Sequence, residues 1–131
     1  MTGTYAGNPL AVAAALAVID VMQAERLPER GQRLGDALRA LLDGLCDEQP
    51  RIADVRGLGA MVAVEFRDPT DGAPDAAFTR RVQAEALQRG LILLTCGMDG
   101  NVLRFLFPLT IEDAVFEEAL GLLRDALRAA A

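Results

Sequence analysis

The chain of 131 residues has no lysine and no histidine; all thirteen of its basic residues are arginines. Without lysine the chain holds no side-chain amine for a Schiff base, and without histidine the commonest general base is missing. Its two cysteines, Cys46 and Cys96, lie far apart and outside any CxxC spacing. That argues against a disulfide framework and against a zinc site. Tryptophan is absent and aromatic residues make up only 5%. No apolar run reaches the ~20 residues of a membrane span, and no secretory leader is visible, so the cytoplasm is the default location. The net charge of −6 argues against nucleic acid and against an anionic membrane surface, both of which call for basic patches.

What the chain does have is apolar content, 52% of all residues and mostly alanine, leucine and valine. This suits helices packed closely on a small sheet, and the length fits one domain with a real core. Asn8 and Pro9 are a good cap and first residue for a helix running to about Glu25. Leu10, Val12, Ala13, Leu16, Ala17, Ile19, Val21 and Met22 make that helix apolar nearly all round, so it expects cover on most sides.

A second helix is predicted from about Pro28 to Asp47. Leu34, Leu38, Leu41, Leu42 and Leu45 form its stripe, and Pro50 stops it. A short extended segment follows at Ile52 to Val55. Ala60 to Phe66 reads as a strand with Ala60, Val62, Val64 and Phe66 on one face. Asp68 to Pro74 is a turn region. Ala76 to Arg89 is a helix ended by Gly90. Leu91 to Leu94 reads as a buried strand and Val102 to Phe107 as the last strand. A final helix is capped at Thr110, with Asp113 completing a variant capping box. The predicted fold class is α+β: a small, mostly antiparallel sheet with helices on one face.

Three places could carry chemistry. Gly3-Thr4-Tyr5-Ala6-Gly7-Asn8-Pro9 leads small residues into a helix N-terminus, where free N–H groups, the dipole and a hydroxyl can hold an anion. It equally reads as a capped helix after a glycine-rich turn. Arg104 sits in an apolar strand on the face of Val102 and Leu106. An arginine there needs a partner. A substrate carboxylate suits its planar fork, and so does an internal acid such as Glu65 or Asp99. Arg56, beside Gly57 and Gly59, is a weaker signal, with the glycines permitting a tight backbone path. Cys96 reads as a small packing residue, since no histidine is present to activate it.

Taken in order, four stretches resemble the C-terminal part of the class III, pyridoxal-phosphate-dependent aminotransferases. They are Gly3 to Pro9, Asp54-Val55-Arg56-Gly57-Leu58-Gly59-Ala60-Met61, Gly90-Leu91-Ile92-Leu93-Leu94-Thr95-Cys96-Gly97, and Asn101 to Asp113. Within that family the Leu-Leu-Thr-Cys-Gly stretch resembles the 4-aminobutyrate aminotransferases. Acetylornithine and other ω-amino acid aminotransferases share the Asn-Val-Leu-Arg-Phe-Leu run.

The resemblance implies that Thr4, with Gly3, contacts the cofactor phosphate across a homodimer interface. It implies that Arg104 binds a substrate carboxylate. It implies pyridoxal phosphate as cofactor, amino acid and 2-oxo acid substrates, and transfer of the amino group of 4-aminobutyrate to 2-oxoglutarate. It also implies the small C-terminal domain of a fold-type I aminotransferase at residues 28–131, entered at 1–27 by a connecting segment and a helix from the large domain. The pattern departs from the family at Thr2, where glycine is usual. The large domain's Schiff-base lysine, its aspartate and its ring-stacking aromatic have no counterpart here. The chain alone is therefore expected to contribute no catalytic residue and to be inactive. A different class of reading is a non-catalytic module that associates through the apolar first helix.

Overall fold

The computed structural model describes residues 7–131. Its elements run α1 (Pro9–Ala24), α2 (Leu27–Gly44), β1 (Ile52–Leu58), β2 (Met61–Phe66), α3 (Ala76–Gln88), β3 (Leu94–Cys96), β4 (Val102–Phe105) and α4 (Asp113–Ala129). The four strands form one antiparallel sheet in the order β1-β2-β4-β3. The α+β reading holds.

The period-two pattern of β2 directs Val62, Val64 and Phe66 to one face, where all three are fully buried. Leu103 and Phe105 of β4 join them. Against this face pack Leu34, Leu38 and Leu42 of α2, Phe78, Val82 and Ala86 of α3, and Phe116, Leu123 and Leu127 of α4. Phe66 and Phe78 meet edge to face at 5.1 Å, an arrangement favoured by the ring quadrupoles.

Local chemistry sets the boundaries. The Asn8 side chain accepts from the N–H groups of Leu10 and Ala11, with Pro9 next to it as anticipated. Asp75 caps α3 by accepting from the Phe78 N–H at 2.8 Å. Gly90, at φ 87°, takes the left-handed position that ends this helix.

Several segments differ from the sequence reading. Leu91 to Leu94 is not a buried strand. The strand begins only at Leu94, and Leu94 and Ile92 are exposed while Leu93 points into the core. A run apolar at every position suits a strand covered on both faces, whereas this edge strand is covered on one. β1 continues through Leu58, beyond the expected Val55, because after a bulge at Ala53 it pairs with β2 without a break from Asp54 to Leu58. β4 ends at Phe105, and Phe107 turns to pack against Phe116 at 5.2 Å between ring centres.

Thr110 does not cap α4. The N-cap is Glu112, without a side-chain capping bond. Arg30 on α2 holds the approach to the helix instead. Its guanidinium donates to the Leu109 carbonyl at 2.8 Å, to the Ile111 carbonyl, and to Asp113 at 2.6 Å. The Asp113 carboxylate thus serves this clamp rather than a capping box.

Gly59-Ala60 is a two-residue connection between β1 and β2 with positive φ at its glycine, the position where a type II′ hairpin turn calls for one. Helix α2 rests on this turn. Gly35 lies so close that a Cβ there would overlap the Gly59 carbonyl oxygen, and Arg39 donates to the same oxygen at 3.2 Å. The obstruction is backbone, so the helix itself would have to move away. Gly35→Ala is expected to cost about 1–3 kcal/mol by overpacking. A lowered urea midpoint with an unchanged slope would register that cost. An unchanged midpoint would show that α2 can slide on the turn.

Helix α1 buries no residue. Leu10, Leu16 and Val18 are each more than half exposed. Met22 alone reaches intermediate burial, near the crease that α1 forms with Pro28 and Glu29 of α2. The all-round apolarity of its sequence is unmatched by any cover within the described residues.

Candidate functional site

Among the described residues the helices cover one face of the sheet and leave the other open. On the open face the register aligns Asp54, Arg56 and Leu58 of β1 with Glu65, Ala63 and Met61 of β2. Arg104 of β4 lies opposite Ala63 on one side and opposite Leu94 of β3 on the other. Arg56, Ala63, Arg104 and Leu94 therefore make one row across the four strands. With strands spaced about 4.8 Å apart, the two arginines stand two strands from one another.

Asp54 faces Glu65 directly across the β1–β2 ladder, and like charges in that position repel. Two arginines relieve the repulsion. Arg56 donates to Asp54 at 2.6 Å and to Glu65 Oε2 at 2.9 Å. Arg67 reaches the other oxygen, Glu65 Oε1, with Nε at 2.9 Å and its terminal nitrogen at 2.8 Å. Partial burial pushes the Glu65 pKa up, but hydrogen bonds and charge from Arg67 and Arg56 outweigh it and hold the carboxyl below its usual value. The Arg56 guanidinium is raised, first by its bond to Asp54 and then by its bond to Glu65. Sequence reasoning missed this network. The only signal was the alternation of acids and arginines at 54, 56, 65 and 67, which has meaning once the hairpin register is known.

Arg104 is exposed and makes no ion pair or side-chain hydrogen bond among the described residues. Neither internal partner open to it from sequence, Glu65 or Asp99, is engaged with it. Glu65 is engaged by Arg56 and Arg67, and Asp99 lies exposed in the turn between β3 and β4. On the side away from that network, Arg104 meets an apolar wall. It borders a groove of about 430 Å³ whose wall includes Leu94, Leu106, Phe107, Ile111 and Val115. A free guanidinium at the rim of an apolar groove offers a planar, two-pronged contact to a carboxylate.

The other predicted positions do not gather round it. Gly3 and Thr4 lie outside the described residues. At the start of α1, two N–H groups are already taken by Asn8, so the described part of this terminus behaves as a capped helix. Any phosphate contact would have to come from the residues before it. Gly57 admits a close backbone approach, since a Cβ there would run into the Met61 carbonyl, as the tight-path reading had it. Cys96 is half-buried on β3. Cys46, also half-buried, has its thiol pushed up by burial and by Asp43 and Asp47. Among the described residues no helix is long and apolar enough to cross a membrane, and no cluster of metal-ligating side chains is present.

The profile of the family described as Aminotransferase class-III matches residues 1–127. The chain is 49% identical over 123 residues to a 5-aminovalerate aminotransferase of Pseudomonas putida, covering 94% of this chain and 29% of the relative. It is 48% identical over 122 residues to the 4-aminobutyrate aminotransferase of Escherichia coli, covering 92% and 29%. Among solved structures, an aminotransferase of Bacillus anthracis superposes with a TM-score of 0.84 at 30% identity, over 97% of this chain and 30% of that one. The chain thus spans about 29% of the length of the curated relatives it matches.

Proposed function

This chain belongs to the class-III aminotransferases, and on that premise we propose that it forms the substrate-carboxylate-binding part of an ω-amino acid:2-oxo acid aminotransferase. Its small domain would span residues 28–131, and α1 would belong to the body of the large domain. The absence of any buried residue on α1 supports that division. The observation that carries the reading is Arg104: exposed, without a side-chain partner among the described residues, and set at the rim of an apolar groove.

Pyridoxal phosphate, when bound, supplies the electron sink through which the amino group moves. This chain has no lysine, so covalent attachment of that group would fall to other parts of the enzyme. The donor set that suits its phosphate is the backbone of Gly3 and Thr4 with the Thr4 hydroxyl. In the homodimer these would serve the neighbouring subunit's site. Arg104 would hold the distal carboxylate of 4-aminobutyrate or 5-aminovalerate, and a carboxylate of 2-oxoglutarate in the second half of the reaction. The apolar wall beside it would accept the methylene chain and exclude water. The relatives named for 4-aminobutyrate and 5-aminovalerate favour this pair over acetylornithine.

The test is an assay of a complete enzyme carrying this segment. Glutamate should form from 2-oxoglutarate with either ω-amino acid as donor. The 131-residue chain mixed with the cofactor should form none. Activity confined to acetylornithine would overturn the substrate assignment, and turnover by the isolated chain would overturn the division of labour.

A further inference from the structure

The open sheet face holds three arginines and two acids close together: Arg56, Arg67 and Arg104 with Asp54 and Glu65. Glu65 lies opposite Val102, which makes it the diagonal neighbour of Arg104 across the β2–β4 ladder. Diagonal positions stand about 7–8 Å apart and are within reach of long side chains. An arginine and a glutamate so placed would ordinarily find one another. Here they do not: Glu65 is turned to other cations, with Oε2 accepting from Arg56 and Oε1 from Arg67. Asp54, the other acid on this face, is held by Arg56 as well. The two acids are matched by two arginines, and the third arginine is left with the one net positive charge.

We propose that Arg56 and Arg67 are positioning residues that keep Glu65 from capturing Arg104, and so keep Arg104 available to the substrate carboxylate. This inference rests on the reading of Arg104 as the carboxylate contact. The physical argument is competition. Glu65 is tethered beside Arg104, and a short tether gives a local concentration on the order of millimolar. A freed Glu65 carboxylate would therefore compete with substrate as a built-in inhibitor. Arg56 and Arg67 remove that competitor without touching substrate themselves. The side chain of Glu65 is only 17% exposed while those of Arg56 and Arg67 are near half. The glutamate is thus the anchored member, and it would turn to another cation if these two were lost.

The experiment uses the complete enzyme carrying this segment and steady-state kinetics with donor and acceptor varied separately. Arg56→Gln with Arg67→Gln should raise KM for both carboxylate substrates about fivefold, the scale of one exposed ion pair, with kcat little changed. Adding Glu65→Gln to the double variant should return KM to near the parent value. Because Glu65→Gln also relieves the Asp54–Glu65 repulsion, thermal melting is read beside the kinetics. A network that merely supports the fold makes KM follow the melting temperature. The positioning role makes KM follow the charge at position 65 in variants of equal melting temperature. If the double variant does not fold, Arg67→Gln alone leaves the Arg56 bridge in place and should give about a twofold rise, again reversed by Glu65→Gln. A KM that stays high in the triple variant, or never rises, would overturn the proposal. Arg104→Gln separates that failure from the failure of its premise. A raised KM in Arg104→Gln with no effect of the double variant sinks only the positioning role. An unchanged KM in Arg104→Gln sinks the carboxylate reading and the proposal together.

Discussion

Arg104→Lys in a complete enzyme that carries this segment is expected to raise KM for its carboxylate substrates about tenfold or more while leaving the fold intact. Lysine keeps the charge and loses the planar fork that takes two carboxylate oxygens at once. A hydrogen bond to a charged group is worth roughly 1.5–3 kcal/mol, and each 1.4 kcal/mol is about a factor of ten. Arg104→Ala, which removes the charge as well, should lie toward a hundredfold. The fold should be spared because Arg104 is exposed and holds no partner within the described residues. Substitutions at such positions usually stay within about 0.5 kcal/mol. Steady-state kinetics beside thermal melting separates the alternatives. Unchanged kinetics with a clearly lowered melting temperature would mean that the side chain supports the sheet instead.

The second large effect is expected far from that face. Phe78→Ala should destabilise the chain by about 3–5 kcal/mol, the range for removing a buried aromatic ring. Phe78 is fully buried and meets Phe66 edge to face at 5.1 Å. The guanidinium groups of Arg51 and Arg81 lie 5.4 and 5.5 Å from its ring centre. Alanine would open a cavity between α3 and the sheet and strip both cations of their aromatic surface. Equilibrium unfolding in urea measures the loss. A change under about 1 kcal/mol would mean that α3 settles onto the sheet and fills the space.

Phe78 and Arg104 also mark what the sequence makes legible. The core was readable because Leu34, Leu38 and Leu42 repeat at helical spacing and Val62, Val64 and Phe66 alternate. Each pattern allows only one face to be buried. Arg104 stood out because a charge inside an apolar strand demands an explanation. The Asp54–Arg56–Glu65–Arg67 network stayed hidden, since it depends on which residue of β1 faces which residue of β2. The Arg30 clamp was hidden for the same reason: it joins groups separated by about eighty positions, two of them backbone carbonyls. The apolar run at 91–94 misled because sequence reports apolarity and not whether a neighbour covers it. Met98 and Leu58 are likewise largely exposed.

The strand order has one more consequence. β1 with β2, and β3 with β4, are each local hairpins, and among the described residues the only ladder joining them is β2–β4. Neither hairpin alone brings Arg104 beside Ala63 and Glu65. That neighbourhood exists only when the seam between them is closed, with α3, which lies between β2 and β3 in the chain, packed across it. Amides along the seam should therefore be protected from solvent exchange to the full depth of global unfolding, whereas those of the uncovered α1 open independently. The proposed anion contact would thus share the fate of the seam rather than of either hairpin's outer edge, and fraying of those edges should leave it in place.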